Sequence, residues 1–129
     1  MNKATVIQAR LLQLAAGLQQ VEEQVRQEGD ADGADCLAAM AAWHKLSAEA
    51  VSLMSSPAAT TGQRRIVFGK SDEELIFTAS LLTVWWASLA TPFALRARLR
   101  ALSEEAEALS DEVEKVLREL PPIPARELN

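Results

Sequence analysis

Twenty-one consecutive residues, Leu75 to Leu95, carry no charge. As a helix rising about 1.5 Å per residue, such a run matches the ~30 Å hydrocarbon core of a bilayer. Either lipid or protein must cover it. Hydroxyl side chains (Thr78, Ser80, Thr83, Ser88, Thr91) and Pro92 interrupt the run, and Trp85 and Trp86 fall in its middle. A lipid interface would hold tryptophans at the ends. A helix apolar on all sides is also what the central helix of a bundle looks like. The balance favours protein cover. The alternative is a single-span membrane protein with Leu75–Leu95 in the bilayer and Arg96–Arg100 on the cytoplasmic side.

The flanks of this run define the second half of the chain. Ser71-Asp72-Glu73-Glu74 fits the Ser-x-x-Glu capping box, which predicts a helix starting at Asp72. Pro92 either opens a new helix, with Thr91 as its cap, or kinks a continuous one. Arg96, Arg98 and Arg100 would lie near the positive end of a new helix, where cations are disfavoured. That conflict favours one long helix kinked at Pro92. Beyond it Leu95, Leu99, Leu102, Ala106, Leu109, Val113, Val116 and Leu120 alternate spacings of 4 and 3, an unbroken heptad seam with charges outside it. Pro121 and Pro122 end the seam.

A matching seam opens the chain. Ala4, Ile7, Leu11, Leu14, Leu18, Val21 and Val25 alternate 3 and 4 across a predicted helix over 3–28, with Gly17 its one weak point. The two seams are expected to pack together. Gly29-Asp30-Ala31-Asp32-Gly33 reads as a turn and helix cap. The third acid and closing glutamate of a calcium loop are missing. A second helix is predicted over 34–54, with Cys36, Ala39, Trp43, Leu46, Ala50 and Leu53 as its packing face and Trp43 as the largest anchor. Residues 55–70 read as a crossover loop. Ser-Ser-Pro-Ala-Ala-Thr-Thr-Gly opens it, Arg65–Gly69 forms a short extended segment, and Ile66 and Phe68 tuck onto the core. The proline-rich tail, 121–129, reads as extended or disordered.

A chain of 129 residues, about half apolar, suits one domain with a single core. Cys36 is the only cysteine, which excludes an internal disulfide and suits a reducing compartment. No apolar signal-peptide core follows Lys3 and Arg10, so the expected location is the cytoplasm. Catalytic chemistry is thin. One histidine, His44, cannot supply a di-iron bundle site or, with one cysteine, a zinc site. Cys36 and His44 would stand about 12 Å apart along one helix, too far for a nucleophile–base pair. His44 is therefore read as a structural or surface histidine. The carboxylates of Glu104, Glu107, Asp111 and Glu114 read as a solvated stripe. No phosphate loop or nucleophile elbow appears, so neither an enzyme nor a cofactor, metal or small-molecule substrate is expected.

The expected fold is an all-α antiparallel helical bundle of three to four helices: 3–28, 34–54, 72–91 and 92–120. The last two are read as one long helix kinked at Pro92, with coiled-coil-like heptad packing. The expected role is a non-enzymatic protein-interaction or assembly module, as a homo-oligomer or a small accessory subunit of a larger complex. Candidate partner-binding residues are Arg64, Arg65, Phe68, Trp85, Trp86, Arg96, Arg98 and Arg100. The two arginine clusters leave a nucleic-acid-associated subunit as a weaker alternative, since the net charge is −5. The preferred reading pairs Arg96, Arg98 and Arg100 with Glu22, Glu23 and Glu28 of the first helix.

Overall fold

The computed structural model describes residues 2–127. Four α-helices follow one another: α1 (Lys3–Gln27), α2 (Ala31–Leu53), α3 (Thr61–Ala87) and α4 (Phe93–Glu119). They form two antiparallel hairpins, α1 with α2 and α3 with α4, and the hairpins join chiefly where α1 meets α4. The helical bundle is thus as the apolar periodicity predicts, and the two heptad seams face each other.

Helix α1 starts where Asn2 accepts the Thr5 N–H at 2.8 Å. Its buried stripe contains every seam residue from Ala4 to Val25, joined by Ala15. Gly17 lies where α4 crosses: a Cβ there would stand 2.7 Å from Leu102 Cδ2, so the missing side chain lets the two helices approach. Gly29, at φ 90°, turns the chain out of α1. Asp30 then caps α2 by accepting the Gly33 N–H at 2.9 Å. The acidic turn is therefore a cap, and α2 begins three residues before position 34.

The buried face of α2 differs from the predicted one. Leu37, Met40, His44, Ser47 and Val51 point into the core, with Ala34, Ala41 and Ala48. The predicted stripe is offset by one residue, about 100° around the helix, and Trp43, Leu46 and Leu53 are exposed. The buried stripe carries a histidine and a serine, which apolar counting assigns to the surface.

The crossover is shorter than predicted, because α3 begins ten residues before Ser71. The true capping box is Thr60-Thr61-Gly62-Gln63. Thr60 Oγ1 accepts the Gln63 N–H at 3.0 Å, and Gln63 Oε1 accepts the Thr60 N–H at 2.9 Å. Residues 65–69 are helical, not extended, since this cap nucleates the turn and Phe68 lands on the core. Ile66 points outward. Ser71 lies in mid-helix, buried, and its hydroxyl has no partner.

Pro92 does not kink a continuous helix. Helix α3 ends at Ala87, and Pro92 is the N-cap residue of α4. Proline has no N–H to offer the carbonyl of Ser88, so the ladder stops. Thr91 instead donates its hydroxyl to the Trp85 carbonyl at 2.7 Å. Arg96, whose charge on sequence grounds opposes a new helix, reaches back over its start: its guanidinium donates to the carbonyls of Ser88 and Thr91 at 3.1 and 3.3 Å. Its charge thus meets the negative end of α3. Helix α4 buries Leu95, Leu99, Leu102, Ala106, Leu109 and Val113 against the core, as its seam predicts. Val116 is only half-buried.

The uncharged run is consequently split between two helices and the turn 88–92. Leu75, Thr78 and Leu82 face the core, while Ile76, Phe77 and Val84 are exposed. Among the described residues, no helix is long and apolar enough to cross a membrane. The tail leaves α4 at Leu120, forms a short 3₁₀ turn at Ala125–Glu127 and returns to α3, where Glu127 accepts the Gly62 N–H at 3.0 Å.

Candidate protein-interaction surface

The eight residues singled out by the sequence fall into two groups at opposite ends of α3. Arg64 and Trp86 are 22 residues apart on one helix, about 33 Å along its axis. No single site gathers them.

At one end the arginines hold helix termini. Arg64 donates to the carbonyls of Met54 and Ser56 at 3.1 and 3.0 Å, which closes the end of α2. Arg65 donates to the carbonyls of Leu120 and Pro121 at 3.1 and 2.8 Å, which closes the end of α4. A planar guanidinium suits such paired carbonyls, and its charge complements the negative helix end. Phe68 is buried in the core and presents no surface to a partner.

At the other end Trp85 lies against the first turn of α2. A Cβ at Gly33 would stand 2.9 Å from its ring, so that glycine makes room for it. Trp86 donates its indole N–H to Ser103 Oγ at 3.1 Å, and the Arg100 guanidinium stacks 5.1 Å from the ring centroid. Arg100 also pairs with Glu104 at 3.1 Å. Arg98 donates to Gln24 of α1. The expected pairing with Glu22, Glu23 and Glu28 does not form: Glu22 is taken by Arg26 at 2.9 Å. Arg26 also holds Asp35 at the start of α2.

With Arg64, Arg65 and Arg96 committed to backbone carbonyls, the unpartnered feature of this surface is apolar. Trp43, Leu46 and Leu53 project from α2. Beside them Ile66, Phe77 and Val84 project from α3, at i, i+11 and i+18, positions that share one helix face. Leu46, Leu53, Ile66 and Val84 are each about two-thirds exposed, between 65 and 72%. The rings of Trp43 and Phe77 meet across the two helices at 5.6 Å, tilted by 60°. Trp43 and Leu46 line a groove between α2 and α3. Ala50, Val67 and Lys70 line the same groove, which continues past Ile66 to Leu53 and Met54.

The heptad of α2 was the signal for this surface. Its spacing predicts a core face at 36, 39, 43, 46, 50 and 53, yet Ala39, Trp43, Leu46 and Leu53 are exposed and only Cys36 packs against the core, so α2 is apolar on both sides. The α3 contribution leaves no such signal, because the composition of 55–70 reads as a loop.

The polar interior has one titratable group. His44 is fully buried, hydrogen-bonded to Thr78, and held neutral by loss of water, with its pKa lowered to about 4. Cys36 is half-buried on the outer side of α2. Among the described residues, no three His, Cys, Asp or Glu side chains stand together as metal ligands would. No protein-family model matches the chain, and no curated protein or solved structure resembles it closely enough to count as a relative.

Proposed function

We propose that the chain is a non-enzymatic protein-interaction and assembly module, and that the outer face of α2 and α3 is its contact surface. One observation carries this reading. Four members of the 3–4 apolar seam of α2, Ala39, Trp43, Leu46 and Leu53, are exposed, with Ala50 half-buried among them and Cys36 packed against the core at its start. A monomer gains nothing from turning Leu46, Leu53 and Ile66 into water, whereas a partner helix fills such a seam with its own side chains. The adjacent row on α3 widens the seam into a two-helix platform, the shape that receives an amphipathic helix or a second hairpin. A nucleic-acid role draws no support from arginines that are occupied with helix ends.

Photo-crosslinking tests the reading. With benzoylphenylalanine in place of Leu46, the expected result in cells is an adduct of defined mass, absent when the probe replaces exposed Leu12 of α1. No adduct of any mass from positions 46 and 66 would overturn it.

A further inference from the structure

The geometry points to a second copy of this chain as the occupant of the α2–α3 face, in an isologous two-fold dimer whose core is α2, α3 and their symmetry mates. This rests on the contact-surface reading above and goes further by naming the partner.

Three features of the face favour a copy of itself. The first is area. Trp43, Leu46, Leu53, Ile66, Phe77 and Val84 together offer on the order of 600 Å² of exposed side chain, near the ~800 Å² per partner of a standard interface. Doubled by symmetry, that reaches the lower bound of a stable dimer. The second is charge. The face carries both signs: Lys70, Glu73 and Glu74 lie on its α3 half, with Glu73 between Ile66 and Phe77, and Lys45 and Glu49 flank the α2 seam. A second copy carries both signs to meet them, while a strongly basic or acidic partner finds like charges as well as opposite ones on the face. The third is shape. Ala39, Ala42 and Ala50 leave α2 shallow between its large side chains, so an identical helix running antiparallel can lower Leu46 and Trp43 into the gaps.

The most exposed apolar pair elsewhere has no such complement. Leu89 and Phe93 stand on the α3–α4 turn, 93% and 85% exposed, but they are two side chains on a tip. Their arginine neighbours are engaged within the chain.

Sedimentation equilibrium of the full chain over a wide concentration range tests the proposal. The expected mass is twice 14.0 kDa. The doubly substituted Leu46→Glu/Ile66→Glu chain should fall to the monomer mass with unchanged helical circular dichroism, and Leu89→Glu should remain dimeric. If the glutamates disturb folding, Leu46→Gln/Ile66→Gln replaces them, and the same loss of dimer is expected. A wild type that stays monomeric throughout, or a dimer that survives the face substitutions in a folded chain, overturns the proposal. Crosslinking from position 46 separates the two levels. Adducts of some other mass with a monomeric wild type would sink self-association alone, and the absence of any adduct would sink the contact surface as well.

Discussion

His44 Nε2 lies 2.7 Å from Thr78 Oγ1, which ties α2 to α3 inside the core. Both side chains are fully buried. The contact places a neutral imidazole on the buried side of α2, one residue from the outward-facing Trp43.

Acid should therefore weaken the bundle through this residue. The folded-state pKa of about 4 lies below the ordinary value of 6.5. Between those values the unfolded chain binds the extra proton, so the contribution of His44 is complete above pH 6.5 and is lost as the pH falls towards 4. The loss amounts to about 3 kcal/mol. Glu74, whose carboxyl is raised above its ordinary 4.5 by burial against the opposing effect of Lys70, acts in the other sense above pH 4.5, inside the same interval. Comparison with His44→Gln removes that background. Urea midpoints measured from pH 7 to 4 should fall more steeply for the wild type than for the variant, and equal slopes would count against the buried neutral ring.

Arg65 links the end of α4 to the start of α3 through two carbonyls. Arg65→Ala should destabilise the chain by about 1–2 kcal/mol, because both carbonyls lose a charged donor at a helix end. Lysine offers a single ammonium and no fork, so Arg65→Lys should recover less than half of the loss. Chemical denaturation at neutral pH reads both values.

Where α1 crosses α4, substitution tests the close approach at Gly17. Gly17→Leu should destabilise by about 1–3 kcal/mol through overpacking against Leu102. Adding Leu102→Ala should restore part of it, a coupling that a double-mutant cycle measures directly. Additive losses would mean that the two residues do not share the space.

How much of this was legible depended on whether a helix has one apolar face or two. Helices α1 and α4 have one each, so their seams name the buried residues from Ala4 to Val25 and from Leu95 to Val113, while Val116 and Leu120 at the end of α4 are half-buried. Helix α2 has two. Apolar counting chose the stripe with Trp43 and Leu46 over the one with His44 and Ser47, and so took the outer surface for the inner. In α3 a local mimic prevailed: Ser71-Asp72-Glu73-Glu74 has the letters of a cap, but the working box is Thr60 with Gln63, in a stretch whose glycine and β-branched residues suggest a loop. From sequence the arginine cluster after Pro92 opposes a new helix and pairs with the glutamates of α1. Its first member instead neutralises the turn that precedes it. Hydrogen bonds that reach backwards to carbonyls leave no periodic trace in a sequence, and for the same reason the arginines looked free for a partner.

The two-faced character of α2 is what everything else depends on, and paired substitutions on its opposite sides test it most directly. Leu37 is fully buried and Leu46 is 65% exposed. In thermal unfolding followed by circular dichroism, Leu46→Glu should keep full helicity and a cooperative transition, whereas Leu37→Glu, which buries an unpaired charge, should lose the fold. Equal collapse of both chains, or survival of Leu37→Glu beside an unfolded Leu46→Glu, would contradict the assignment and return the seam to the core.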